Sequence, residues 1–580
     1  MTKTVGIGGA AGMWGDSAFA TPQLLADGRC DYLIYEGLAE ITMAILTKAH
    51  AKDPQQGYAR DLIDIIGKNL HAFSDGRTRV ITNGGGVNPE AAADVLRQAA
   101  EAAGVDVTIA TVTGDDVLEV AEGIPDNTVS ANAYLGARPI AAALDAGADI
   151  VITGRVVDSA LTLAPLIHEF GWSYGDLDAL SGGSLAGHLL ECGPQSTGGL
   201  LTDWRDTKSW ANPGFPIVLV NSDGSFEITA PDETDALVDR RTVAEQMLYE
   251  IGDPTAYLLP DVTCDWTHVE LDEVGPQRVQ VSGARGTVPP PTYKACAQVS
   301  DGFRVALQFF IGGRDAVAKA QRAGDDMVVR GRRLLAELGQ ADFRDVQVHV
   351  VGAEATYGAH ARDTGAREAL LWIAAHHDDA KSLTRFVREF PSIALAGPPG
   401  IGGAAGSGLP RPSPVLRIET VLVPREKVQV EVAVDGRPLS YDDVPTDACG
   451  VPAERGPDSD VAPAIDPEGH NVTLGDVANG RSGDKGDNVN IGIIARHPDL
   501  LPVIAAQLTA DAVGEWLNHL GASSVDRFTL PGTNALNFLL HQGLGSSGAA
   551  SLRIDPQGKA VAQQLLDFPI TIPNGLKDLI

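Results

Sequence analysis

Over the first 170 residues, short β-branched runs alternate with stretches whose apolar positions recur at helical spacing. The runs 4–8, 31–35, 79–82, 105–110, 128–131 and 149–153 predict strands. Between them, Leu38, Ile41 and Ile45 share one helix face, and 91–103 forms another amphipathic stretch. Such alternation predicts an α/β arrangement over 1–171, a mostly parallel sheet flanked by helices. From 172 to 440 the pattern is mixed, with helices at 176–192, 242–251 and 315–338. Strands are expected there at 262–271, 278–284, 303–310, 344–352 and 415–434. This portion is expected to be α+β and to pack on the first, the two forming one domain over 1–440. Residues 441–470 hold eight acidic residues, five prolines and one arginine, which suits a linker or surface strap rather than a core. A small ferredoxin-like domain is expected over 471–580. Its predicted order is strand 472–478, the loop GRSGDKGD, strand 490–495, helices within 498–520, strand 525–529, helix 535–540 and strand 551–554.

In open α/β sheets ligands bind beyond the carboxyl ends of the strands. The segments following the first strands are GGAAGMWGD (8–16), Glu36-Gly37, NGGGVNP (83–89), NAYLG (132–136) and GRVVDS (154–159). Glycine, Asn, Asp, Glu and Arg therefore collect along one edge, which is the expected site.

Composition narrows the function. The chain has 580 residues, too many for one compact core. Its 44 basic and 76 acidic residues give a net charge of -32, a field that repels nucleic acid and acidic membrane surfaces. A small anionic substrate would need a local basic pocket. The five cysteines are scattered and lack CxxC spacing, so neither a disulfide framework nor a zinc knuckle follows. No window reaches the roughly 20 apolar residues that span a bilayer, and the amino-terminal segment has no apolar signal core, so the cytoplasm is expected.

Several constellations carry candidate chemistry. Gly6 to Gly12 fits GxGxxA after a strand, the dinucleotide fingerprint, with a tight turn before a helix as the alternative. Glu36 lies 25 residues beyond Ala11, a long spacing, and Asp16 would oppose a phosphate. Arg155 and Asp158 sit just past a strand. Arg155 could clamp an anion, or pair internally with Asp158 to order the loop. Asn83, Gly84, Gly85 and Asn88 could form an anion cradle, or simply a turn in which Pro89 starts a helix. His188, Glu191 and Cys192 share a helix face, suiting an acid/base pair, part of a metal site or an activated thiol; a hydrogen-bonded core histidine is the alternative. No third metal ligand is evident. Gln195 opens the polar run that follows. Glu36 and Glu40 begin a helix, and Glu36 is the stronger candidate base. Arg481, Ser482, Asp484, Lys485 and Asp487 crowd one loop, suiting either a domain contact or the nucleotide end of a thioester. The glycine-rich 397–410 lacks the GK[ST] of a phosphate-binding loop.

Together, the glycine loop ending in Gly15-Asp16, DYLIYEGLAEIT, NGGGVNP, GADIVITGRVVDSAL, GHLLECGPQSTGG, YEIGDPTAYLLPDV and GGRD resemble the acyclic terpene utilisation protein A family. GRSGDKGDNVNIG is similar to the ferredoxin-fold domain often joined to it. The resemblance implies catabolism of acyclic terpenoids beside acyl-CoA enzymes. The resulting expectation is a catabolic enzyme acting on a branched or terpenoid-derived acyl-CoA or carboxylic acid, of hydratase/lyase type. Glu36, His188 and Asp158 are its catalytic candidates. Asn83, Gly84, Gly85, Asn88, Arg155, Gly12, Asp16 and Gln195 are its substrate-binding candidates. A coenzyme A thioester is the possible substrate, no cofactor or metal is expected, and a homo-oligomer is. Two rivals are a non-catalytic acyl-CoA-binding or assembly subunit and an NAD(P)-dependent oxidoreductase.

Overall fold

The computed structural model describes residues 3–580 except 75, 363–364, 404–407, 452–455, 459–468 and 549. Part of 441–470 and part of 397–410 thus lie outside the described residues.

Five parallel strands form the centre of an eleven-stranded sheet: β1 (Thr4–Gly12), β2 (Tyr32–Glu36), β3 (Arg79–Thr82), β4 (Ile109–Thr113) and β6 (Ile150–Thr153), side by side as β1-β2-β3-β6-β4. Their cores are nearly continuous runs of buried apolar residues, as strands covered on both faces require. The sheet as a whole is mixed, which qualifies the mostly parallel expectation. Antiparallel strands Ile217–Asn221, Phe226–Thr229, Arg278–Ser282 and Glu270–Gly275 extend it beyond β1, and Glu431–Val434 with Arg437–Leu439 beyond β4. Segments from both halves of 1–440 therefore share one sheet.

The strand β5 (Thr128–Ala133) leaves this sheet and pairs with the long strand Thr292–Gly312 in a second, antiparallel sheet. That strand also carries Ser413–Pro424, Glu368–His377 and Ile401–Gly403, covered by helix Ala316–Glu337.

The carboxyl-terminal unit is ferredoxin-like, with an antiparallel sheet of Ala478–Lys485, Asn488–Ala495, Ala535–His541 and Ser524–Leu530 in that order. GRSGDKGD is mostly strand rather than loop, and Ala535–His541 is strand rather than helix. Residues 551–554 form no strand. The run ALNFLLH is short, rich in Leu and largely buried on both faces, a pattern that periodicity alone cannot assign to helix or strand. One face lies in the domain's own core, and from the other Asn537 Nδ2 donates to the Ile251 and Gly252 carbonyls of the main body. Among the described residues no helix is long and apolar enough to cross a membrane.

Candidate functional site

Four strand-end loops converge at the carboxyl edge. Glu36 ends β2, and its buried carboxylate accepts from Leu38 N at 3.0 Å and from Asn83 Nδ2 at 2.8 Å. Asn83, just past β3, returns the contact by accepting from Gly37 N at 2.9 Å. Arg155, just past β6, donates through Nη1 to the Leu38 carbonyl and to Asp158 Oδ1 at 3.0 Å, and lies 3.8 Å from Glu36 Oε1. Its guanidinium stacks on Tyr134 at 4.2 Å. Asp115, just past β4, accepts from Arg155 N at 3.1 Å and from Asn132 Nδ2 at 2.8 Å. A Cβ at position 154 would stand 2.3 Å from Asp115 Oδ1, so glycine is needed for the loops to meet.

Electrostatics separates these carboxyls. Burial above all, reinforced by the neighbouring Asp158 charge, raises Glu36 well above the usual carboxylate range; Arg155 and the hydrogen bonds only partly oppose this. Burial likewise pushes Asp115 up to about 6. Asp158 is the open member of the group, its side chain 33% exposed beside an Arg155 that is 4% exposed.

A second wall comes from helix Leu177–Leu190. Gly187 packs against Ser159, where a Cβ would come within 2.7 Å of Ser159 Cα, and this brings His188 and Glu191 towards Asp158. His188 Nε2 meets the Gln246 and Met247 carbonyls at 3.1 and 3.2 Å, and Nδ1 meets Glu191 Oε1 at 3.0 Å. Facing two carbonyls, Nε2 carries a proton and donates. Both ring nitrogens are taken, and burial raises Glu191 despite the imidazole. Burial and the charges of Glu191 and Glu250 push the Cys192 thiol well up, away from an activated thiolate.

The remaining candidates have local duties. Gly6 to Gly12 lie within β1 rather than in a turn after it. At Gly12 a Cβ would meet Gly193 N and Cys192 C at 2.6 Å. The strand, glycine turn and helix of a dinucleotide site are therefore not formed, because these glycines admit neighbouring backbone. Asp16 closes its own loop, accepting from Gly12 N at 2.9 Å and Ser17 N at 2.6 Å. Gly84 N donates to Thr82 Oγ1, and the amides of Gly86, Val87 and Asn88 donate to carbonyls of Asn83, Gly57 and Gly85. Asn88 caps helix Pro89–Ala103 and donates to Pro54 and Gln56 carbonyls. Gln195 accepts from Arg481 across the domain contact. The Glu40 side chain lies outside what the structure describes. Among the described residues no group of three His, Cys, Asp or Glu is placed to hold a metal. A surface cleft of about 420 Å³, lined by residues such as Arg138, Asp145 and Tyr441, contains none of the candidates.

Sequence reasoning passed over Asp115 and gave no role to Tyr257. Asp115 follows β4 directly, and the strand-end rule would have found it had the strand been placed at Ile109–Thr113 rather than 105–110.

The pattern of the acyclic terpene utilisation family protein AtuA matches residues 5–434, and that of the AtuA ferredoxin-like domain matches 472–571. The chain belongs to the AtuA family. That family is implicated in acyclic terpene utilisation, a catabolic role. No curated protein and no solved structure matches the chain. In this AtuA chain the family match spans every loop of the convergent edge, and the ferredoxin-like match includes the strand that faces it.

Proposed function

We propose that the protein is a catabolic enzyme that adds water to, or eliminates it from, a branched or terpenoid-derived acyl-CoA or carboxylic acid. The observation that carries this reading is the pair of carboxyls on either side of Arg155. Glu36 is enclosed, and burial raises its proton affinity well above the usual carboxylate range, whereas the Asp158 side chain is one-third exposed. A buried carboxyl of raised proton affinity beside a solvent-facing carboxyl suits an acid and a base. In hydration the Asp158 carboxylate takes a proton from water as its oxygen bonds to the β-carbon. The α-carbon then receives a proton from the buried acid side, and elimination reverses these steps. Atoms and electrons balance without a redox partner. Asn83 and the Leu38 amide hold Glu36 in place.

The test follows loss of enoyl-thioester absorbance and product mass with branched α,β-unsaturated acyl-CoAs and their free acids. Turnover is expected, and Glu36→Gln and Asp158→Asn should each lower kcat about 100-fold or more. Binding without turnover would favour the acyl-CoA-binding or assembly subunit instead. Oxidation of NADH or NADPH would favour the oxidoreductase.

A further inference from the structure

The ferredoxin-like domain brings cations to an acidic chain at one place. Its first strand and the segment before Val561 present Arg481, Lys485 and Lys559 to the main body. Lys485 Nζ donates to the Tyr257 hydroxyl at 3.3 Å and stands 5.1 Å from that ring's centre. Lys559 Nζ donates to the Tyr249 hydroxyl and stands 3.9 Å from Glu250 Oε1. The two lysines differ in one respect. Among the described residues Lys485 makes no ion pair, and its one hydrogen-bond partner is Tyr257. An ammonium has three donors, so two find no protein acceptor. Because the Tyr257 hydroxyl accepts from Lys485, its own proton is available, and among the described residues it donates to nothing. Burial disfavours the ammonium, but Tyr257, Glu250 and Glu191 outweigh it, so Lys485 stays charged and its two remaining donors can meet a ligand oxygen.

Tyr257 also ties this place to the carboxyl edge. Asp158 and Glu191 both act electrostatically on it, and its ring lies 6.4 Å from that of His188 and 5.0 Å from that of Trp266. Two unspent donors, one from each domain, thus lie beside the acid/base groups, as in sites that stabilise a developing oxyanion. We propose that Tyr257 and Lys485 bind the carbonyl or carboxylate oxygen of the substrate, so that the active site is completed by the ferredoxin-like domain. In the reaction above, the ammonium and phenol would hold the enolate oxygen while Asp158 and Glu36 move protons. This role in turnover rests on the hydratase/lyase reading, whereas anion binding by the pair does not.

The experiment is calorimetric titration of the full chain with dimethylacrylate and its CoA thioester, alongside turnover and melting temperature. Wild type should bind. Lys485→Met should weaken binding about tenfold or more, Tyr257→Phe should weaken it less, and Lys485→Arg should recover most of it. Lys559→Met occupies the same domain contact and serves as the control, with affinity within about twofold of wild type. Where turnover exists, Lys485→Met should lower kcat about 100-fold at saturating substrate. Equal loss in Lys485→Met and Lys559→Met, tracking melting temperature, would reduce Lys485 to a docking contact and overturn the proposal. So would unchanged affinity in Lys485→Met, or no binding of either probe by wild type. Binding lost in Lys485→Met without turnover in wild type would refute the reaction class and leave the anion pair standing.

Discussion

Arg155 shows how one side chain can be placed correctly by sequence and still serve an end the sequence left open. Its position past β6 brings it to the convergent edge, but its guanidinium is spent on the Leu38 carbonyl, Asp158 and the face of Tyr134. These contacts join the loops after β2, β5 and β6, so Arg155 acts first as a brace. A lysine would keep the charge but could not span a carbonyl and a carboxylate while stacking on a ring. Arg155→Lys is therefore expected to cost about 2–3 kcal/mol in stability. It should lower the melting temperature and leave dimethylacrylate affinity within about twofold. A tenfold loss of affinity with unchanged melting would instead put Arg155 on the ligand. The same distinction applies to Asn83. Its carboxamide orders Glu36 and Gly37, and the amides of Gly84, Gly86, Val87 and Asn88 donate within the chain rather than into an open cradle.

Elements were legible where a single period dominated and illegible where two faces were covered. The β-branched runs of β2, β3 and β6 and the amphipathic helix Pro89–Ala103 announce themselves, and with them the edge at which Glu36, Asn83, Arg155 and Asp158 meet. The glycine-rich β1 suggested a loop beyond residue 8 because glycine usually marks a turn. Here the glycines continue the strand, since side chains would strike the Arg29, Leu190 and Gly193 backbone. β5 was recognised as a strand, but its partner lies some 160 residues away in sequence, and no local pattern reports that. The ferredoxin-like strand Ala535–His541 was lost to the ambiguity of a run buried on both sides. Gly12 makes the strand-level point testable. Its Cβ contacts would be backbone atoms of the turn carrying Glu191 and Cys192, which cannot swing aside as a side chain would. Gly12→Ala should destabilise by roughly 2–4 kcal/mol. Gly175→Ala, whose Cβ would first meet a side-chain oxygen at 3.5 Å, should be nearly neutral. Comparable melting temperatures for the two variants would show that the turn yields freely.

At the scale of the whole molecule, the contact between main body and ferredoxin-like domain contains a titratable group. Glu245 is 3% exposed, accepts from Asn479 Nδ2 at 3.0 Å and from Thr202 N at 3.1 Å, and burial pushes it up to about 7 despite both bonds. A carboxyl whose folded pKa is raised stabilises the fold fully below its unfolded value, and that contribution is lost as pH rises through the folded value. For Glu245 the window runs from the ordinary 4.5 to about 7. The shift corresponds to about 3 kcal/mol across it. Glu36, Glu191 and Asp115 are raised as well and act with the same sign. Asp203 works the other way. Bonding to Arg496 lowers it to about 2, so its contribution is lost only as pH falls through the range below 3.8. Stability should therefore peak on the mildly acidic side of neutrality and decline towards pH 8. Glu245→Gln keeps an oxygen for Asn479 and the Thr202 amide while removing the ionisation. In this variant melting temperature should fall less steeply between pH 5 and pH 8. Hydrogen exchange at Asn479–Arg481 should also lose the acceleration expected of wild type above neutral pH. If wild type and Glu245→Gln decline in parallel over that range, the pH dependence belongs to Glu36, Asp115 and Glu191 at the carboxyl edge, and the domain contact does not respond to it.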